Sequence, residues 1–192
     1  MMTTIIRCPW TNEDPLYQAY HDDEWGRPIY DSQDLFAKLC LDGQQAGLSW
    51  YTILKKRDNY YQAYANFEPA KIVLFTEQDI ERLMQDTGIV RNKLKVNSVI
   101  KNAKGFLALQ QQGIDFSEFL WDFVDGKPVM NQYQTMAEVP TQTPASEAMS
   151  KALKKLGFTF VGPTICYAFM QAVGMVNDHL VNCHCYNKVA NK

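Results

Sequence analysis

Leu83-Met84-Gln85-Asp86-Thr87-Gly88-Ile89-Val90-Arg91-Asn92-Lys93 decides the fold. It ends one helical pattern at a glycine, turns sharply, and opens a basic helix. The pattern before it starts at Thr76-Glu77-Gln78-Asp79, a capping box with Asp in place of the usual Glu. Ile80, Leu83 and Met84 form its apolar stripe, and Gly88 predicts its stop. The pattern after it runs from Arg91 to Gln111, with Leu94, Val99, Ala103, Phe106 and Leu109 to one side. Backbone N–H groups at its start face outward and favour a phosphate, with Arg91, Lys93 and Lys95 adding charge. Two helices joined this way grip a duplex by its backbone without reading bases.

The helical period extends along the chain. Asp14 to about Trp25 carries Leu16, Ala19 and Tyr20 on one side; Asp31 or Ser32 caps a segment with Leu35, Phe36, Leu39 and Cys40. A helix with Trp50, Ile53 and Leu54 continues to about Tyr64, and a short aromatic one spans Asp115 to Phe123. Met130 to Thr143 is polar and reads as a connection, after which Thr143-Pro144 starts a helix to Leu156. Phe158 to Val176 holds no charged residue, yet Gly162, Pro163, Gln171 and Gly174 interrupt it. It predicts a buried helix from Pro163 and no membrane span. Alternating β-branched runs are missing. About eight or nine helices and no sheet define an all-α chain. Residues 1–192 read as a single domain with room for two lobes.

Composition narrows the function classes. Hydrophobic content is 46%, charged content 21% and net charge -2, ordinary for a folded chain. The charge is unevenly spread. No acid lies between Asp86 and Asp115 or between Glu147 and Asp178, where Lys101, Lys104, Lys151, Lys154 and Lys155 do. Lys55-Lys56-Arg57 adds a third basic cluster, while acids crowd the first 42 positions. One cationic face on a nearly neutral protein follows. The start, Met1 to Trp10, lacks the apolar core of a secretory leader, which predicts a reducing, cytoplasmic setting. The 5 cysteines then read as ligands or core and not as disulfides.

Two Cys/His pairs stand at the chain's ends. Cys8 precedes His21, and His179 precedes Cys183 at i, i+4, one face of a helix. Two thiolates and two imidazoles close a tetrahedral zinc site. On spacing alone Cys185 or Cys166 competes for a place, and His184 is an alternative imidazole pointing elsewhere on a helix.

A second constellation is aromatic and acidic. Trp10, Tyr17, Tyr20 and Trp25 surround His21-Asp22-Asp23-Glu24. Leu41-Asp42-Gly43-Gln44-Gln45-Ala46-Gly47-Leu48-Ser49-Trp50 sets a carboxylate, two amides and two glycines inside an apolar helical pattern. Each glycine costs about 1 kcal/mol relative to Ala in a helix. Such a local violation marks function or a helix–turn–helix junction.

Together, Cys8-Pro9-Trp10, Asp14-Pro15-Leu16-Tyr17, Tyr20-His21-Asp22, Glu24-Trp25-Gly26, the Gly43 to Trp50 run, Leu54-Lys55-Lys56-Arg57, Phe158 to Cys166 and Val176-Asn177-Asp178-His179 are ordered blocks from Arg7 to Tyr186. The chain resembles the bacterial DNA-3-methyladenine glycosylase I family. That resemblance implies an all-α helix-hairpin-helix fold and a structural zinc on Cys8, His21, His179 and Cys183. It implies double-stranded alkylated DNA as partner, free 3-methyladenine as product, a monomer, and no membrane. Two departures stand out. Gly88-Ile89-Val90 lacks the second glycine of the superfamily hairpin, and no catalytic aspartate follows the basic helix, Asp115 being the nearest. Where the family carries a glutamate before its Gly-Gln-Gln block, this chain has Asp42, one methylene shorter.

The expected chemistry follows from the substrate. A 3-methylated adenine nucleotide is cationic, so its base leaves neutral without strong acid catalysis. The site must flip the nucleotide, with Leu48 beside Gly47 as an apolar wedge. Trp10, Tyr20 and Trp50 hold the cationic ring by their faces. Asp42 accepts from the adenine amino group, and Tyr20 donates or accepts at the purine edge; these two are the expected catalytic residues. Tyr17 and Trp25 are expected in the core or in a supporting layer behind them. No lysine stands beside these motifs, which predicts hydrolysis without strand cleavage. A DNA-binding module that has lost activity is the competing class, supported by the shortened acid. A zinc hydrolase needs an open coordination position, which four protein ligands exclude.

Overall fold

The computed structural model describes residues 5–190; the first four residues of the start read above for a leader lie outside them. Asp14 caps α1 (Pro15–Ala19) by accepting from Leu16 N and Tyr17 N. A π-helical turn, Tyr20–Glu24, continues it. Asp31 caps α2 (Ser32–Gln45) through Gln33 N and Asp34 N, as its position predicts. Leu35, Phe36, Leu39, Cys40 and Leu41 are all buried, so α2 is covered nearly all round. It packs against the helices Pro163–Ala172 and Lys93–Gln111, the second of them the long basic one.

The expected Trp50 to Tyr64 helix is two pieces, α3 (Trp50–Leu54) and α4 (Arg57–Ala63). Next come α5 (Pro69–Ile72), α6 (Glu77–Gln85) and α7 (Lys93–Gln111). The Thr76–Asp79 capping box is present. α8 (Phe116–Trp121) is capped by Asp115, whose carboxylate also accepts from Ser32. Asp115 is therefore a capping residue. β1 (Val129–Met130), α9 (Pro144–Lys155), α10 (Pro163–Ala172), β2 (Val176–Asn177) and α11 (Tyr186–Ala190) complete the order.

The architecture is mostly helical, with eleven α-helices among the described residues. One element departs from the expectation of no sheet. β1 and β2 pair in parallel, Val129 with Val176 and Met130 with Asn177. So short a ladder leaves no alternating pattern to read. No helix among the described residues is long and apolar enough to cross a membrane.

The turn between α6 and α7 differs from its sequence reading in three ways. Gly88 is not in the left-handed region. A Cβ there would sit 2.8 Å from Asn59 Cγ, so the glycine serves close approach to α4. Leu94 is 73% exposed, off the buried stripe. Lys95 points inward, 6% exposed, because its ammonium donates to Gln44 O at 2.7 Å and Ala46 O at 2.6 Å, the last carbonyls of α2. Gln44 Nε2 returns a bond to Lys95 O at 3.0 Å. Lys95 is thus a brace and not a surface cation. Lys95→Met leaves two carbonyls bare and should cost about 2 kcal/mol. Urea unfolding measures this, and an unmoved midpoint would contradict the brace.

Candidate active site and metal centre

The π-helical turn sends adjacent side chains to opposite purposes. Tyr20 faces a cavity, and His21 faces a buried Cys/His cluster. Such turns are frequent at functional sites.

Cys8, His21, His179 and Cys183 are all buried, with their donor atoms within 4.8 Å of one another. Cys183 Sγ lies 3.5 Å from His21 Nε2 and 3.6 Å from His179 Nδ1, and Cys8 Sγ lies 3.6 Å from His179 Nδ1. Ligands at tetrahedral zinc distances are separated by about 3.5 Å, so this donor set fits a four-coordinate metal. The other imidazole nitrogens are occupied. His21 Nδ1 meets Asp22 Oδ1 at 2.8 Å, and His179 Nε2 meets Trp25 O at 3.1 Å. These partners orient both rings inward. Arg7 and His184 also bind Asp22. Burial works against that carboxylate's charge, but its bonds to Arg7, His21 and His184 hold it well below the usual range.

One correction concerns the C-terminal pair. His179 and Cys183 are not on a helix; the chain passes through turns there. A Cys183 N to Leu180 O bond of 2.8 Å closes the turn that brings them together. His184 points away from the four-residue set, as expected. It sits beside Asp22 and Cys185, forming a second group with His21 that backs the first. Cys166 lies elsewhere, bonded to Val161 O.

The cavity measures about 180 Å³. Trp10, Tyr20, Asp42 and Trp50 all line it, as expected from sequence. Trp10 and Tyr20 meet edge to face at 6.4 Å, and Tyr20 and Trp50 lie 5.4 Å apart. Tyr17 and Trp25, expected in the core or a supporting layer, line it too. Trp25 also stands edge-on to His179 at 4.7 Å, so the Cys/His cluster buttresses the cavity wall. Burial, with Asp42 and Glu24 nearby, holds the Tyr20 phenol well above its usual pKa. Tyr20 is therefore a proton-bearing donor.

Asp42 is 3% exposed. Its Oδ1 accepts from Lys38 Nζ, one turn earlier on α2. Its Oδ2 is buried with no partner, as is Trp50 Nε1. Both residues line the cavity, and two buried polar atoms without a partner are unusual, since buried polar groups are otherwise paired. Gly43, beside Asp42, admits Phe160, whose carbonyl would lie 3.1 Å from an added Cβ.

Lys38 corrects the expectation that no lysine stands near. Its ammonium lies 3.8 Å from the centre of the Trp50 ring. Burial pulls it down despite the Asp42 partner. Its signal was a lone charge inside the Leu35–Phe36–Leu39 stripe. Sequence reading also missed Met136 and Val139, which the polar connection delivers to the cavity, and Gln171 and Asp178. Asp178 is saturated by Asn131 at 2.7 Å, Tyr167 at 2.6 Å and Gln171 at 2.8 Å, so it anchors rather than reacts.

Beside the cavity, Gly47 takes φ +76°, a left-handed turn that glycine favours. It presents Leu48, 41% exposed. Arg91 and Lys93 are exposed on the α6–α7 turn. Many of that turn's N–H groups are already spent: Asp86 takes Gly88 N, Tyr60 takes Val90 N, and Asn92 takes Leu94 N and Lys95 N. Side chains, more than free amides, carry any anion contact there.

The walls suit a flat aromatic ring, and comparison with known proteins shows what the whole chain is similar to. The profile described as methyladenine glycosylase matches residues 10–186. DNA-3-methyladenine glycosylase 1 of Escherichia coli (strain K12) is 55% identical over 180 residues, 94% of this chain and 96% of that protein. A crystal structure of 3-methyladenine DNA glycosylase I superposes with TM-score 0.93 at 54% identity, covering 94% of this chain and 100% of that one. A variant of 3-methyladenine DNA glycosylase I in complex with 3-methyladenine superposes with TM-score 0.89 at 42% identity, over 93% and 96%. The class is therefore that of enzymes hydrolysing N-glycosyl bonds. Within it, this chain belongs to the methyladenine glycosylase family.

Proposed function

We propose that this chain is a DNA repair enzyme that excises 3-methyladenine from alkylated double-stranded DNA, in the cytoplasm, as a monomeric single domain. The observation carrying this reading is that two residues lining the cavity each hold a buried polar atom without a partner, Asp42 Oδ2 and Trp50 Nε1. Adenine offers an amino donor beside a ring-nitrogen acceptor on one edge. The acceptor and donor on the protein are their complements. The relatives named above, and the complex with 3-methyladenine, support the choice of base.

The nucleotide flips out of the duplex, at a cost of a few kcal/mol, and Leu48 fills its place. Trp10, Tyr20 and Trp50 enclose the ring. The bond from the sugar C1′ to the purine breaks, and its electron pair cancels the base's positive charge. Water adds to C1′ and gives up a proton. Asp42 and Tyr20 hold the departing base by its edge. Lys38 Nζ is engaged by Asp42 and Trp50 beneath the base, so it is not free to attack C1′; this supports release without strand cleavage.

The α6–α7 turn serves as a helix-hairpin-helix anchor with Arg91 and Lys93 on phosphates, Lys155 assisting. Charge reversal at Arg91 and Lys93 should weaken duplex binding alike for all sequences and reduce the log–log salt slope by about 2. Unchanged slope and affinity would place the cationic face elsewhere. Cys8, His21, His179 and Cys183 hold a structural zinc, a closed site away from the reacting atoms.

Chromatography of bases released from methylated duplex tests the function, with borohydride trapping alongside. Free 3-methyladenine and no trapped covalent adduct are expected. No released base would refute the activity, and a trapped adduct would refute the monofunctional mechanism.

A further inference from the structure

The buried Lys38–Asp42 pair asks for an explanation beyond excision itself. A pocket built to attract a cationic base does not need a lysine in its floor. We propose that Lys38 is a positioning and specificity-determining residue: its ammonium, clamped between Asp42 Oδ1 and the Trp50 ring, keeps the carboxylate charged and turned so that Oδ2 faces the bound base. It also cancels the site's net charge, so an amino-bearing purine is selected by its hydrogen-bonding edge more than by its formal charge. This rests on the reading of the cavity as the base site.

The geometry carries the argument. Lys38 and Asp42 are i, i+4 on α2, and their side chains are 13% and 3% exposed. Asp42 has a short arm, and one oxygen is committed to Lys38 while the other stays bare. The partner thus fixes the rotamer that aims Oδ2. A buried carboxylate without a cation takes up a proton instead of staying charged.

The neighbours do not substitute for Lys38. Arg57 is bound bidentately to Glu24, at 2.5 and 3.1 Å. Asp178 is saturated, as described above. Tyr20 contributes a phenol, and Cys40 and Cys166 buried thiols, both pushed up chiefly by burial, Cys166 to about 12. Burial also pushes the Asp42 carboxyl up, with Lys38 opposing. Removing Lys38 leaves burial unopposed.

The test compares wild type, Lys38→Met and Lys38→Arg in base release from methylated duplex between about pH 5 and pH 8. In Lys38→Met the acid limb of kcat/KM should move up by about 1 to 3 pH units, and Lys38→Arg should bring it back toward wild type. At pH about 8, the affinity ratio for a cationic dimethyladeninium over neutral 9-methyladenine should rise about tenfold or more in Lys38→Met. An unmoved acid limb with an unmoved ratio overturns the proposal. Should Lys38→Met not fold, carbon NMR of the Asp42 carboxyl in the wild-type protein decides. Lys38 is expected to keep that carboxyl charged at neutral pH, and a carboxyl protonated at neutral pH overturns the proposal. If wild type releases no base, the excision reading fails by itself. The affinity ratio and the NMR titration still judge Lys38.

Discussion

Asp42→Asn is expected to release 3-methyladenine about ten to a hundred times more slowly than the wild-type chain. A hydrogen bond to a charged group contributes about 1.5 to 3 kcal/mol in a buried site, and each 1.36 kcal/mol is about tenfold in rate. The asparagine keeps the shape but removes the charge. The substitution has a second consequence. It strands the Lys38 ammonium in a buried site, and an orphaned partner of a buried pair costs about 3 to 5 kcal/mol. Rates are therefore compared well below the variant's melting temperature, with folding followed by circular dichroism. Asp42→Glu restores the longer arm of the resembled family. It should keep activity wherever the cavity admits the extra methylene. Wild-type release by folded Asp42→Asn would remove the carboxylate from recognition and leave the aromatic walls alone.

Cys183→Ser should strip the metal and lower the melting temperature together. The centre joins the N-terminal strand of chain at Cys8, the π-helical turn at His21 and the C-terminal turns. Structural zinc contributes folding energy directly. A loss of about 3 to 5 kcal/mol is a drop of about 6 to 20 °C for a chain of this size. Trp25 stands on His179 and lines the cavity, so base affinity should fall as well. Metal analysis paired with calorimetry checks this. Pure wild-type protein with no zinc and full activity would contradict the account of the centre.

Local chemistry was legible in the sequence. Asp31 and the Thr76–Asp79 box fix helix starts through bonds spanning only a few residues, and Pro163 opens its helix where expected. Asp42 was legible because its run of carboxylate, amides and glycines breaks an apolar helical pattern, and the aromatic walls because Trp10 and Tyr20 crowd a short acidic stretch. Contacts between distant segments were not. Lys95 counts as a surface cation until α2 brings Gln44 O and Ala46 O to its ammonium. Met136 and Val139 sit in a polar connection and reach the cavity only through the fold. His179 and Cys183 converge as expected but through turns, because i, i+4 spacing does not distinguish a helix from a tight reversal. Lys38 was readable in principle: a charge one turn before Asp42 on a buried stripe needs a partner, and the acid is that partner.

The most direct test of the central claim is a crystal structure of the wild-type protein with 3-methyladenine bound. Asp42 Oδ2 should accept from the base's amino group and Trp50 Nε1 should donate to its ring nitrogen, each at about 2.7 to 3.2 Å, with the ring between Trp10, Tyr20 and Trp50. A base bound elsewhere, or bound here with both atoms still bare, would contradict the account.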